Sequence, residues 1–86
     1  MQRVSVKVLF FGEAHQLAGK REEYIEFPVE TNYEEVRATV LEKFPTLTKI
    51  EKVMMLAVDQ EYANPEDPIQ LERFSEIAVI PPLSGG

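Results

Sequence analysis

Apolar and polar residues alternate from the start of the chain. Val4, Val6, Val8 and Phe10 occupy every second position after Arg3, and the pattern then thickens into the unbroken run Val8-Leu9-Phe10-Phe11 before Gly12. A period of two sends successive side chains to opposite faces of a strand, and a run without polar partners predicts a strand buried on both faces at its far end. Glu13-Ala14-His15-Gln16-Leu17-Ala18 breaks the period and predicts a short helical turn, closed by Gly19 where a left-handed residue is favoured. The strand pattern returns at Arg21 to Phe27 through Tyr24, Ile25 and Phe27 and ends at Pro28, which predicts a hairpin-like pair with the first strand.

Thr31-Asn32-Tyr33-Glu34-Glu35 is the clearest helix start. Thr31 with Glu34, or Asn32 with Glu35, has the spacing of a capping box, and the carboxylates favour the positive end of the helix dipole. Tyr33, Val36, Val40 and Phe44 recur at helical intervals, Leu41 widens the stripe and Pro45 stops it. A helix of roughly three turns with one apolar face needs a sheet to lie on.

Residues 47–52 read as an irregular or short helical bridge, and Val53 to Val58 as a third strand turning at Asp59-Gln60-Glu61 into Tyr62 and Ala63. Ile69 and Leu71 offer a short fourth strand after the loop at 64–68, and Glu76 to Ile80 an apolar last one. The predicted order is β, β, α, β, β, β. Residues 8–11 and 77–80 are the least polar strands, so they belong in the middle of the sheet as parallel neighbours, with the helix crossing one face. That is the α+β class and the β-grasp (ubiquitin-like) arrangement: a mixed sheet packed against one main helix over residues 1–80, with a protruding Gly-Gly tail at 81–86.

Composition narrows the function. A chain of 86 residues is one domain, and at this size folding buries only about 60–65% of the unfolded surface, which leaves little room for an internal cleft. Apolar residues at 44% and charged residues at 28% suit a soluble globular protein. No apolar run approaches the roughly 18 residues of a membrane span, and Met1-Gln2-Arg3 does not lead into a signal sequence, so a soluble, cytoplasmic protein is expected. The absence of cysteine excludes disulfides, thiolate nucleophiles and metal ligation by sulfur. A net charge of −6 argues against nucleic acid or anionic membrane and favours a partner with a basic docking face.

Conventional catalytic groups do not assemble. His15 is the sole histidine, and there is no His-x-x-x-His or Asp-rich loop, so no metal site is expected. The pairs Glu22-Glu23, Glu34-Glu35 and Glu66-Asp67 sit in polar stretches or a helix cap, where solvation accounts for them. Gly12 and Gly19 flank a turn and form no phosphate cradle. Ser84 would need a base and an orienting acid that a tail cannot hold in place.

What remains is the end of the chain, Pro81-Pro82-Leu83-Ser84-Gly85-Gly86. Proline lacks an N–H and fixes φ, so Pro81 and Pro82 end strand pairing and launch a stiff segment. The residues from Leu83 onward reach about 13 Å when extended, enough to thread a narrow channel. With no Cβ on Gly85 or Gly86, a foreign active site can approach the terminal carboxylate closely. A frayed terminus would also be small and polar, but it has no reason to carry Leu83 after a strand and two prolines. The candidate reacting group is the Gly86 carboxylate, and the catalytic machinery belongs to another protein.

Residues 79–86, together with Lys7-Val8-Leu9-Phe10-Phe11 and Leu56-Ala57-Val58-Asp59-Gln60-Glu61-Tyr62, resemble the family of small sulfur-carrier subunits of molybdopterin synthase over nearly the whole chain. The resemblance implies that Gly86 is adenylated by an enzyme resembling the ubiquitin activators and then converted to a thiocarboxylate. The carrier would be no enzyme on its own, would bind no cofactor, and would rely on ATP used by the activating enzyme. Its tail would insert into a large catalytic subunit, in a heterotetramer, and pass sulfur to a pterin precursor of the molybdenum cofactor. Gly85 would give clearance, and Pro81, Pro82, Leu83 and Ser84 would contact the channel. Docking is expected to bury Leu83 and a patch near the tail, with Phe11, Tyr62 and Phe74 as its members.

Two positions depart from the family pattern. Arg73-Phe74-Ser75-Glu76 replaces a Gly-Asp-Glu turn, setting an aromatic where glycine would allow positive φ, and Phe74 reads as either a core residue or an interface anchor. Asp59 stands where asparagine often follows the Ala-Val pair. Other classes stay open: a carrier serving thiamine biosynthesis or transfer-RNA thiolation, a ubiquitin-like modifier forming isopeptide bonds, or a pure interaction domain.

Overall fold

A computed structural model of the chain describes residues 2–82. Met1, Leu83, Ser84, Gly85 and Gly86 lie outside the described residues. The main sheet holds β1 (Arg3–Phe10), β2 (Glu22–Pro28), β4 (Met55–Val58), β5 (Glu61–Tyr62) and β7 (Glu76–Ile80), in the order β2-β1-β7-β4-β5. β1 and β7 run parallel, with Lys7 opposite Glu76 and Phe10 opposite Val79, and the other pairings are antiparallel. The two least polar strands are therefore interior neighbours, as their composition predicts.

One face of this sheet forms the core. Val6, Val8 and Phe10 of β1, Ile25 and Phe27 of β2, Leu56 of β4, and Ile77 and Val79 of β7 are buried there. They share a cluster with Val36 and Val40 of α2 (Tyr33–Lys43) and with Leu47 and Ile50 of the 3₁₀ segment Pro45–Ile50. Each full burial of a Val, Leu or Ile is worth about 1.5–3 kcal/mol, so a cluster of this size supplies the main force for folding. The Phe10 and Phe44 rings meet edge to face, centroids 4.8 Å apart.

The helix boundaries have local causes. Asn32 Oδ1 accepts the Glu35 N–H at 2.9 Å, so Asn32 is the N-cap of α2. Thr31 Oγ1 donates to Glu35 Oε1 at 2.6 Å, which ties up the carboxylate that a reciprocal capping box would need. Pro45 ends α2 and also opens the 3₁₀ segment, at a position where a missing N–H costs no hydrogen bond. α1 (Gly12–Ala18) begins one residue earlier than the pattern predicts, and Gly19, at φ 81°, closes it by donating to the His15 carbonyl.

Three expectations are corrected and one open alternative, at Phe74, is decided. Val53 and Met54 are not strand residues: both N–H groups donate to the Ile50 carbonyl, which completes the helical bridge and delays β4 to Met55. The fourth predicted strand, β6 (Pro68–Gln70), pairs antiparallel with β3 (Glu30–Asn32) in a separate two-stranded sheet, and Leu71 lies beyond it. The far end of β1 is buried on one face only, since Leu9 is half-buried and Phe11 exposed. Phe74 is not a core residue, being 85% exposed, and its turn needs no glycine. The Ser75 N–H reaches the Glu72 carbonyl at 3.0 Å and Ser75 Oγ accepts the Glu72 N–H at 2.8 Å, with φ at Phe74 negative.

The substitution at Asp59 also has a structural account. Asp59 (φ 50°) and Gln60 (φ 71°) are the central residues of the β4–β5 hairpin, a turn with both φ angles positive. Asp tolerates that conformation, and its Oδ1 accepts the Glu76 N–H at 2.9 Å while its own N–H donates to the Glu76 carbonyl at 2.8 Å. The hairpin is thereby stitched to the start of the last strand. Gln60 has only the strain, about 1–2 kcal/mol, against an entropic cost of about 0.5–1 kcal/mol for glycine. Gln60→Gly is expected to raise stability by about 0.5–1 kcal/mol, and Asp59→Ala to lower it by about 1 kcal/mol, both measured by urea unfolding.

Candidate functional site at the open sheet face and the root of the tail

The face of the sheet opposite α2 has no helix over it among the described residues. Strand register sets its rows. Glu22, Leu9, Ala78, Ala57 and Tyr62 form one line across all five strands, and Ile80 and Met55 lie beside it toward the tail. Ala57 and Ala78, with short side chains, make the floor of a hollow of about 280 Å³, and Leu9, Phe11, Tyr62 and Ile80 stand around it with Gln60 and Glu76. Phe11 is 49% exposed and Tyr62 67%. Scattered exposed apolar residues are ordinary, and this group differs from them in being contiguous around a small-residue floor.

The tail leaves from the edge of this patch. The Phe11 N–H donates to the Val79 carbonyl at 3.2 Å, extending the parallel ladder past the end of β1. Gly12 then turns away at φ +53°, and a Cβ on it would lie 3.1 Å from Pro81 Cγ. Pro81, half-buried, packs over that bare backbone, and Pro82 is exposed. The first strand thus directs the exit of the last one. Reading Gly12 only as a turn flank missed this role; the available signal was a glycine one step beyond the parallel partner of the strand that feeds the tail.

Of the predicted site residues, the structure brings Phe11 and Tyr62 to one hollow and sets Pro81 at its margin. Phe74 is not with them. It lies at the other end of β7, in a separate hollow with Lys7 and Tyr24. Leu83, Ser84, Gly85 and Gly86 fall outside the described residues. Among the described residues no group of three or more His, Asp or Glu side chains is placed to share a metal ion, and no helix is long and apolar enough to cross a membrane.

A five-stranded mixed sheet on one main helix, with the first and last strands parallel at its centre, defines a ubiquitin-like β-grasp protein. Residues 8–86 match the model of the ThiS family. The chain is 78% identical over 83 residues to the molybdopterin synthase sulfur carrier subunit of Caenorhabditis briggsae, covering 96% of this chain and 99% of that protein. It is 35% identical over 82 residues to the molybdopterin synthase sulfur carrier subunit of Homo sapiens, covering 94% and 93%. The chain belongs to the ThiS family and, within it, to the molybdopterin synthase sulfur carrier subunits.

Solved structures agree on the fold. SAMP1 from Haloferax volcanii superposes with a TM-score of 0.76 at 16% identity, covering 99% of this chain and 100% of that one. A chain from the complex of subunits 1 and 2 of the molybdopterin-converting factor of Helicobacter pylori gives 0.64 at 23% identity, covering 99% and 100%.

Gly12 and Gly19 make a matched pair for testing the tail root, because both have positive φ but only Gly12 has a neighbour within 4 Å of a built Cβ. Each alanine substitution is expected to lower stability by about 1–2 kcal/mol through left-handed strain. Only Gly12→Ala is expected to shift the proton resonances of Pro81 and Pro82, read by NMR; equal shifts from Gly19→Ala would contradict the contact.

Proposed function

We propose that the chain carries sulfur on its own C-terminus as the small subunit of a molybdopterin synthase. The observation that carries the reading is the near-full-length match to a sulfur carrier subunit at 78% identity. The open apolar face beside the tail root supports it, because a carrier without catalytic side chains needs a surface that holds it to an enzyme.

The chemistry follows from the weakness of a carboxylate as an electrophile. An oxygen of the Gly86 carboxylate attacks the α-phosphate of ATP on an activating enzyme related to the ubiquitin activators, giving an acyl adenylate and pyrophosphate. Sulfur at the sulfide level, delivered as hydrosulfide or its equivalent, then attacks the acyl carbon, the bond from that carbon to the phosphate oxygen breaks with loss of AMP, and the terminus becomes a thiocarboxylate. Docking on the large subunit brings this nucleophile to the pterin precursor at high effective concentration. When sulfur is left on the acceptor, the acyl carbon–sulfur bond breaks and water supplies the oxygen that restores the carboxylate.

Each residue has a part in this reading. Gly85 and Gly86 leave the acyl carbon open to attack, and Leu83, Ser84, Pro82 and Pro81 contact the channel of the large subunit. Phe11 and Tyr62 anchor the docked face. The carrier is non-catalytic, holds no cofactor, and joins a heterotetramer with the large subunit. In this reading the loading step takes place in the cytoplasm, which supplies the ATP that the activating enzyme uses.

Co-expression with the activating enzyme is expected to give an intact mass with one oxygen replaced by sulfur; an unchanged mass despite adenylation contradicts a carrier role. Deleting Gly86 is expected to abolish loading while leaving the unfolding midpoint nearly unchanged, and a large loss of stability would mean that the tail is structural. Phe11→Ala and Tyr62→Ala are each expected to weaken binding to the large subunit by about 5–30-fold in calorimetry. Copurification of a thiazole synthase or a transfer-RNA thiolase in place of the large subunit would reassign the recipient.

A further inference from the structure

We propose that the end of the open sheet face away from the tail is a second docking site, and that it takes an acidic segment of a protein partner carrying an aliphatic side chain. It is a hollow distinct from the Phe11–Tyr62 hollow, meeting it only at Glu76, and it does not depend on sulfur chemistry.

The cluster centres on Phe74, which at 85% exposure is the most exposed large apolar side chain among the described residues. Tyr24, 61% exposed, faces the same hollow of about 150 Å³. Strand register puts Tyr24, Lys7 and Glu76 in one row across β2, β1 and β7, and the turn Glu72–Ser75 raises Arg73 and Phe74 at the end of that row. The Arg73 guanidinium lies 5.4 Å from the Phe74 ring centroid, within cation–π range.

The turn is built to hold this arrangement. Ser75 is buried, and it closes the turn with two hydrogen bonds to Glu72, one through its N–H and one through its hydroxyl. The closed turn fixes the backbone that carries the ring, so a partner that covers Phe74 has only the side-chain torsions left to order. Arg, Tyr and Phe are also residue types that interfaces favour.

Charge selects the occupant. The chain as a whole is at −6, yet two cations flank this hollow and Glu76 is its one lining carboxylate. Lys7 and Arg73, like Arg21, Lys43, Lys49 and Lys52, form no ion pair among the described residues, but only these two stand beside exposed aromatic rings in one hollow. An incoming carboxylate therefore meets two unpaired cations, and an aliphatic side chain beside it meets two aromatic faces. Polyanionic nucleic acid would meet the repulsion of the remaining surface. Glu76 also lines the Phe11–Tyr62 hollow, so the two sites are ends of one strip and can be filled together.

The test is an NMR titration of the isotopically labelled full chain with the peptide acetyl-Glu-Asp-Leu-Asp-Glu-amide and its neutral counterpart acetyl-Gln-Asn-Leu-Asn-Gln-amide. The acidic peptide is expected to shift the amide signals of Lys7, Tyr24, Arg73, Phe74 and Ser75, with weaker binding at high salt. Binding should fall by about tenfold or more for the neutral peptide, for Arg73→Glu and for Phe74→Ala. Both substitutions are at exposed positions and spare the core, so signals elsewhere report that the fold is kept. Absence of shifts, shifts confined to Leu9, Phe11 and Tyr62, or equal binding by the neutral peptide or by Arg73→Glu would overturn the proposal. So would shifts of the same signals by an oligothymidylate but not by the peptide.

Discussion

The parallel pairing of β1 with β7 is the constraint on which the rest of this structure depends. It places the last strand of the chain beside the first, inside the sheet, with ladder partners on both sides. A strand held from both sides cannot drift, so Pro81 leaves the sheet at a point that the register fixes. The same register brings Phe11 to the Val79 carbonyl and Gly12 under Pro81. The exit of the tail is thus determined by residues from the opposite end of the sequence, and proline's missing N–H prevents the ladder from continuing.

The sheet divides the labour between its faces. On the side of α2, Val8, Ile77 and Val79 are fully buried, and the hydrophobic stabilisation of the fold is concentrated there. The other side carries Leu9, Phe11, Ala57, Ala78 and Ile80, apolar residues that the chain's own elements leave wholly or partly exposed, except the buried Ala57. A domain this small can leave one face of its sheet for partners only because a single helix suffices to cover the other. In the proposed function that open face holds the enzyme while the terminus reacts, so scaffold and reagent are parts of one chain with separate duties.

Much of this was legible in the residues. β1, β2, β7 and α2 each carry a strong period, and the composition of β1 and β7 was enough to place them together. Helix capping was legible to the extent of two alternatives, which the hydrogen bond from the Glu35 N–H to Asn32 Oδ1 resolves in favour of Asn32. The β3–β6 ladder was not legible, because Glu30-Thr31-Asn32 has no apolar alternation and its residues look like a helix cap. The expectation of burial on both faces fails at Leu9 and Phe11 for a related reason: an apolar residue in a strand signals that it needs a cover, but not whether that cover is the same chain. The contact between Gly12 and Pro81 depends on long-range register, which no local pattern encodes.

The central claim is that sulfur bound at Gly86 is the sulfur delivered. It is tested most directly by loading the chain with radiolabelled sulfide, removing the activating enzyme, and mixing it in a single turnover with the large subunit and the pterin precursor. The account requires label to appear in the pterin product in step with restoration of the Gly86 carboxylate. Label that stays on the chain, or product whose sulfur is unlabelled, would contradict it.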